Sequence, residues 1–409
     1  MKKYLYILLA ISLSSGFASC SSDNEDIDTP PVIEKEQIVK SQILGTWEYL
    51  DSNTGITQYI EFRDTEDSYY FEQKDGNLIE WYKFKYTLSD LSINITATTI
   101  DKNYTVSLYK KEDNIYFTDK IITKSKLSIE SLEGKTILTI GDSMSATGEW
   151  QNEVAKLLGT TIRKHAKGGS GVLGMIDGYG DFNPLSVADV TGVDIITLYG
   201  GYNDRVIEHG KIGDLYPANN TISGVFQYAI NRINELLKEA NNTDCKIIII
   251  TPHCAGKYDW CDADGYTEWV TGSGRTLEMM SNKIQEVAKH NSLASVDLWH
   301  YLGIDKTNWN KYQKYPTPDN PDFTFIGEYN TVNDLPTGAE KDVAKVTALN
   351  TWDNTYIHNG TEWVRYNKYA PYSPFPYNAD QLHLNADGYV KLGNYIAGII
   401  LLYNAKELL

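Results

Sequence analysis

From Lys135 onward the chain alternates short candidate strands with stretches of helical spacing, and few architectures accept that pattern. The runs are Thr136–Ile140, Thr161–Lys164, Ile195–Leu198, Lys246–Thr251 and Ala294–Asp297. Between them, Gly224 to Ala240 places Phe226, Ile230, Ile233 and Leu237 at helical spacing. Thr276 to His290 forms a second such helix, and Ala386 to Asn404 closes the chain. Parallel strands need crossovers, and helices supply them. The expected fold is therefore α/β, a doubly wound parallel sheet with helices on both faces.

Residues 41–122 read differently. Thr57–Arg63, Glu80–Thr87, Leu91–Thr98, Asn103–Lys110 and Asn114–Thr118 are short alternating runs, parted in places by Asn53-Thr54-Gly55 and Lys74-Asp75-Gly76-Asn77. A small all-β domain is expected there. It opens with Leu44-Gly45-Thr46-Trp47-Glu48, and that opening resembles lipocalin-like domains of bacterial lipoproteins, in which the Trp plugs one end of a small barrel. Two roles stay open for it, a structural spacer and a ligand cup.

Ahead of that domain, Lys2 and Lys3, the apolar stretch Leu5 to Leu13 and the small residues before Cys20 make a targeting segment. Residues 1–19 resemble a bacterial lipoprotein signal, with Cys20 as the lipid-bearing N-terminus. Phe17 stands where Leu is usual, and an ordinary secreted signal is the alternative. Residues 20–40, polar and acidic at their start, read as a flexible tether. The expectation is an exported protein, anchored to the outer membrane through Cys20 on the periplasmic or cell-surface side. A net charge of −17 argues against nucleic acid as a partner, which needs a basic face. Cys254 and Cys261 flank a short loop that a disulfide could close in an oxidising compartment. Cys245 opens an apolar strand and reads as a buried thiol. No His/Cys group has metal-ligand spacing, so no metal or cofactor is implied.

Four separated segments carry the chemistry. Gly141-Asp142-Ser143-Met144-Ser145 follows the first apolar run, and Gly168-Gly169-Ser170-Gly171 follows the second. Gly201-Tyr202-Asn203-Asp204 follows the third, and Asp380-Gln381-Leu382-His383 precedes the last helix. In a doubly wound sheet all four are expected at the carboxyl ends of strands, where they converge on one crevice. Ser143 would attack an acyl carbonyl, and His383 would take its proton and return it to the leaving alcohol. Asp380 would hold the other ring nitrogen of His383. The Ser143 and Gly171 N–H groups and the Asn203 amide would bind the oxyanion, each donor being worth about 3 kcal/mol of barrier. Gly171 is preferred to Gly169 as donor because it follows Ser170, and its missing Cβ allows close approach of backbone to ligand.

This set, in this order, resembles the SGNH (GDSL) hydrolase family, which Ser143, Gly171, Asn203 and His383 match one by one. The resemblance covers 133–409 apart from an insertion at about 305–375, which is aromatic, rich in Pro and Asn, and carries a hairpin signal at Asn359-Gly360. It implies a flavodoxin-like sheet and ester hydrolysis without a metal. At the second segment, Ala166-Lys167 replaces the usual Asn-containing lead-in. The Gly-x-Ser-x-Gly elbow of the α/β-hydrolases is absent around Ser143.

Each residue also has a plainer reading. Ser143 alone would do as a helix cap, Gly171 and Gly201 as turn glycines, and Asn203 and Asp204 as Asx-turn residues, with Asp204 the structural one of the pair. Asp297-Leu298-Trp299-His300 is a rival Asp-x-x-His, whose Asp lies in an apolar run and reads as structural. His253 ends the fourth run with both roles open. Trp260, Trp309, Tyr312, Trp352, Trp363 and Tyr377 are either a stacking platform for sugar or cores of inserted hairpins. The sequence thus points to a serine esterase that removes small acyl groups, acetyl first, from a glycan or small ester. The alternatives are a lipid acylhydrolase or thioesterase, and a non-catalytic glycan-binding lipoprotein.

Overall fold

The computed structural model describes residues 34–64, 67–100, 102–255, 273–305, 307–315, 324–337, 342–347, 355–358, 361–365 and 380–407. The targeting segment with Cys20, together with Trp260, Cys261, Trp352 and Tyr377, lies outside the described residues.

A one-turn helix α1 (Lys40–Ile43) leads into eight antiparallel strands: β1 (Gly45–Asp51), β2 (Ile56–Phe62), β3 (Ser68–Lys74), β4 (Asn77–Ser89), β5 (Ser92–Ala97), β6 (Lys102–Lys111), β7 (Asn114–Phe117) and β8 (Lys120–Lys124). Each pairs with the next, and β1 closes on β8 with Trp47 opposite Lys124, so the sheet is a closed barrel. Alternation drives it. In β5, Ile93, Ile95 and Ala97 point inward and are buried while Asn94 and Thr96 face out. Inside, Phe62 sits edge-on to Phe84 and Tyr86 at 5.9 and 5.3 Å, within a cluster completed by Ile60, Ile93, Leu108 and Phe117. Trp47 packs partly buried against this cluster and donates its indole N–H to the Ile43 carbonyl at 2.6 Å.

The second unit is a five-stranded parallel sheet. In chain order it has β9 (Leu127–Ser128), β10 (Thr136–Gly141), α2 (Ser143–Ala146), α3 (Glu149–Leu158), β11 (Thr161–Ala166), α4 (Val172–Asp177), α5 (Val187–Val190), β12 (Ile195–Tyr199), α6 (Ile222–Glu239), β13 (Lys246–Ile250), α7 (Leu277–His290), β14 (Ala294–Val296) and α8 (Leu298–Tyr301). The sheet order is β11-β10-β12-β13-β14, with β9 outside it. β12 is buried along its whole length and β13 at Ile247–Ile250, the continuous apolar pattern of a sheet covered on both faces. The chain reverses direction of winding at β10, so a crevice opens between the carboxyl ends of β10, β11 and β12.

After α8 come α9 (Trp309–Tyr312), β15 (Gln313–Tyr315), and a separate sheet of β16 (Thr324–Tyr329), β17 (Asp342–Val346), β18 (Thr355–His358) and β19 (Trp363–Arg365). β18 and β19 are antiparallel across the Asn359-Gly360 position, itself outside the described residues. β20 (Asp380–Leu384) then leads to α10 (Ala386–Tyr403) and β21 (Lys406–Glu407), which pairs with β9. One expectation needs correcting here. His383 is not at the end of a strand of the parallel sheet; it lies within β20, which forms its own antiparallel ladder with β15. The insertion supplies the partner strand, and the parallel sheet ends at β14.

α10 is apolar on nearly every side, the mark of a helix with neighbours all round. It packs on α3, where Gly393 has no side chain to meet the Trp150 carbonyl. On another side it meets the outer face of the barrel. Tyr69, Phe71, Leu78 and Trp81 from β3 and β4 belong to the same buried cluster as the parallel sheet. Trp81 stacks on Phe71 at 6.1 Å, donates its N–H to the Asn394 carbonyl at 2.7 Å, and fills the space left by Gly398. Tyr395 donates its hydroxyl to the Leu78 carbonyl at 3.3 Å. Among the described residues, no helix is long and apolar enough to cross a membrane.

Replacing Trp81 by Ala removes a buried ring and leaves a cavity against Gly398. It should cost about 3–5 kcal/mol in urea unfolding, with barrel and hydrolase unit melting together in the wild type. A loss below about 1 kcal/mol would mean the two units do not share a core.

Candidate active site

β10 ends at Gly141, where a Cβ would lie 3.0 Å from the Tyr199 carbonyl and nearer still to Ser145. The strand therefore runs hard against β12 before turning into α2. Asp142 caps that helix: its Oδ1 accepts the Met144 N–H at 2.9 Å. Ser143 is the first residue of the turn, half-buried, at the crevice. Among the described residues, neither its N–H nor its hydroxyl has a hydrogen-bond partner. A nucleophile–base bond commonly tightens only when substrate is bound.

The loop after β11 lies against Ser143: a Cβ on Gly168 would sit 3.7 Å from the Ser143 Cβ. The pair that follows β12 holds this loop. Asn203 donates one amide hydrogen to the Ser170 carbonyl at 3.0 Å. The Asp204 carboxylate accepts the Val172 N–H at 3.0 and 3.2 Å. The Gly171 residue is thus clamped on both sides, and a Cβ there would lie 2.6 Å from Asp204 Oδ1. The expected structural role of Asp204 is what the structure shows. Among the described residues, the Gly171 N–H and the second Asn203 amide hydrogen have no partner.

His383 comes from β20. It lies close enough for its charge to act on both Asp142 and His253. Just beyond it, Asn385 caps α10 by accepting the Gly388 N–H at 2.9 Å, and its own N–H donates to the Tyr312 carbonyl at 2.7 Å. Tyr389, one turn on, donates its hydroxyl to Met144 Sδ at 4.0 Å, tying the start of α10 to the turn that carries Ser143. Asp380 enters β20 opposite Tyr315; its side chain lies outside the described residues.

Burial dominates the electrostatics. Asp142 is fully buried and is pushed up to about 7 by desolvation, against the Met144 N–H and the His383 charge, with Asp204 adding repulsion. Its Oδ2 has no partner among the described residues. Asp204 is likewise pushed up to about 7 by burial, opposed by the Val172 N–H and by Arg205. His253, buried after β13, is held down to about 4 by desolvation, with His383 acting in the same direction. The rival pair is elsewhere in function. Asp297 caps α8 and binds His300 Nδ1 at 2.8 Å, while Glu278 lies 3.2 Å from Nε2. Burial opposes the charged ring, but the two carboxylates outweigh it and raise the His300 pKa, which suits an ion pair rather than a base.

Of the aromatic residues proposed as a platform, Trp309 is buried against His253 at 6.0 Å, and Trp363 packs in the inserted sheet with its N–H on the Pro336 carbonyl at 2.6 Å. Trp309 is core, and Trp363 is half-buried against the inserted sheet, so neither stands free as a stacking face. Cys254 is buried, its thiol donating to the Ile304 carbonyl at 2.9 Å; Cys261 lies outside the described residues. Cys245 is half-buried, and burial pushes its thiol up to about 12. Among the described residues, no group of three His, Cys, Asp or Glu side chains could hold a metal ion. Sequence reasoning missed the unpartnered Asp142 carboxyl and the clamp on Gly171; the adjacency of Asn203 to Asp204 was visible, but not which loop they reach.

Residues 137–396, more than half of the chain, match the family described as GDSL-like lipase/acylhydrolase. The chain belongs to that family and is a hydrolase of ester bonds. None of the curated proteins is a significant match. Among solved structures, it is similar to a possible lipase from Chitinophaga pinensis DSM 2588 at 18% identity and TM-score 0.41, over 66% of this chain and 98% of that one. It is also similar to the lipase/acylhydrolase from Enterococcus faecalis (13%, TM-score 0.35, 67% and 98%). A third is a GDSL-like lipase from Bacteroides thetaiotaomicron VPI-5482 (16%, TM-score 0.24, 40% and 67%). These likenesses are too distant to bear on substrate.

The buried Asp142 carboxyl makes a pH prediction. Its folded pKa is raised, so it stays protonated to about 7, whereas the unfolded chain ionises it near 4. Its stabilising contribution is present below about pH 4 and is lost as pH rises through 7. Asp142→Asn keeps an oxygen for Met144 and carries no charge. Relative to wild type, the variant should gain more than about 1 kcal/mol of stability between about pH 4.5 and 7.5 in urea titrations. A difference that does not vary with pH would contradict the assignment.

Proposed function

We propose that the protein is a serine esterase that removes small acyl groups, acetyl first, from a carbohydrate. One observation carries the reading: among the described residues, the Ser143 N–H, the Gly171 N–H and an Asn203 amide hydrogen stand without partners in segments that meet beside Ser143. Partnerless donors at a crevice suit a negative charge that develops only during reaction.

In this reading Ser143 Oγ attacks the acyl carbonyl as His383 accepts its proton. The carbonyl oxygen becomes an oxyanion among the three donors. The tetrahedral species collapses, the ester C–O bond breaks, and His383 returns the proton to the leaving alcohol. Water then attacks the Ser143 acyl-enzyme by the same route and releases the acid. Asp380 is assigned to the imidazole as its orienting carboxylate. The preference for a short acyl group rests on the groups flooring the carboxyl edge. Asp142, Ser170, Thr251 and His253 are buried there, a polar floor that suits a long acyl chain poorly. A carbohydrate as the alcohol is supported by the targeting segment read in residues 1–19, which would place the protein among extracellular glycans.

Ser143→Ala should lower p-nitrophenyl acetate turnover more than about a thousandfold and abolish labelling by a fluorophosphonate. Acetate esters should be cleaved faster than octanoate esters, and acetylated polysaccharides should release acetate. Labelling that survives Ser143→Ala would remove Ser143 from its role, and octanoate preference would turn the substrate reading toward lipids.

The residues before the barrel support a lipid anchor at Cys20 on the outer membrane. Cys20→Ser should move the protein from the membrane fraction to the soluble fraction of cells and eliminate incorporation of labelled palmitate. Unchanged fractionation and labelling would leave an ordinary secreted protein.

A further inference from the structure

Among the described residues, two neighbouring buried polar atoms have no partner, and one of them belongs to His253, whose ring feels the His383 charge. His253 is fully buried, and its Nε2 has no hydrogen-bond partner among the described residues. Trp309 is 5% exposed, and its indole N–H is equally unpartnered. The two rings lie 6.0 Å apart at 33°. Buried polar groups in native structures nearly always have partners, so an adjacent pair left open calls for a specific group to complete it.

The surroundings hold both rings in place. Tyr202, in the segment that carries Asn203, accepts the His253 N–H at 2.6 Å and donates to the His253 carbonyl at 3.2 Å. The Tyr202 ring lies 5.5 Å from the imidazole, on which Trp309 also packs. The Cys254 thiol binds the Ile304 carbonyl, and Asp305 to Asn308 form a turn in which the Asn308 side chain accepts the Asp305 N–H at 2.9 Å and donates to the Gly303 carbonyl at 3.1 Å. That turn delivers Trp309 onto His253.

The chemistry of the missing group follows from the tautomer. Nδ1 of His253 faces the Cys254 carbonyl, which can only accept, so Nδ1 carries the hydrogen. Nε2 is then a lone-pair acceptor. The Trp309 N–H can only donate. A carboxylate or phosphate would satisfy Trp309 and leave Nε2 open; an ammonium would do the reverse. A hydroxyl donates and accepts, and satisfies both. His383 returns its proton to the leaving alcohol, so the group seated next to it belongs to the alcohol side of the ester.

We propose that His253 and Trp309 form a recognition site for a free hydroxyl on the alcohol portion of the substrate, close to the ester that is cleaved. This rests on the esterase reading of Ser143 and His383, and it narrows the substrate class to partly acylated polyols and sugars. Both atoms are closed to solvent without substrate, so the hydroxyl takes its place as the alcohol seats.

Small esters test the site without any glycan. 2-Hydroxyethyl acetate and propyl acetate differ by a hydroxyl in place of a methyl. The wild-type enzyme should favour the hydroxyl ester in kcat/KM by at least about tenfold. In His253→Phe and in Trp309→Phe that ratio should fall to within about twofold of unity, with fluorophosphonate labelling of Ser143 reporting that each variant is folded. A wild-type ratio near unity overturns the proposal and assigns the pair to a structural water. A ratio that survives both substitutions overturns it as well. The wild-type comparison needs no variant, so it decides the matter even where one fails to fold. Failure of the glycan reading looks different: no acetate from acetylated oligosaccharides, with the preference among small esters intact.

Discussion

The molecule depends on burying one helix. α10 carries apolar residues round most of its surface, from Tyr389 to Leu401, and none of those faces can be left to water. α3 and the sheet cover one side. The outer wall of the barrel covers another, through Trp81 and Tyr395. The helix begins three residues after His383, and its first turn touches Met144 beside Ser143. The packing that covers α10 therefore also sets the position of the candidate base relative to the candidate nucleophile. Barrel, sheet and site are coupled through a single buried element, although each is written in a different part of the chain.

Much of this was legible in the chain of residues. The five parallel strands fall within two residues of the expected runs; the inner ones are apolar because they are covered on both faces, as in Lys246-Ile247-Ile248-Ile249-Ile250, whereas β11 at the edge is largely polar and exposed. The long helices announced themselves by spacing, and Asn385 and Thr276 cap theirs as such residues do. What could not be read was mostly non-local. β3 reads as a strand with no alternation, since Ser68 to Phe71 are all buried, and only the docking of the barrel explains it. The pairing of β20 with β15 joins segments more than sixty residues apart, and no periodicity in either signals the other.

The site shows the same division. The candidate residues were legible in four short segments. How they are held was not. Asn203 and Asp204 grip opposite sides of Gly171, one through the Ser170 carbonyl and the other through the Val172 N–H, and that clamp exists only once β11 and β12 flank β10. Behind it lie two carboxyls, Asp142 and Asp204, both raised toward neutrality by burial, next to an imidazole, His253, lowered for the same reason. Desolvation thus lowers the net charge on the floor of the crevice. A new charge formed above it meets aligned dipoles rather than competing ions.

Closure of the barrel has a consequence for how this protein meets other proteins. With β1 hydrogen-bonded to β8, no strand of the N-terminal unit is left with a free rim, so it offers no template on which a foreign strand could be added. The inserted sheet is different: β16 and β19 are its outer members. Growth of a shared sheet between molecules, in crowded or partly denatured conditions, would start from the insertion and not from the barrel.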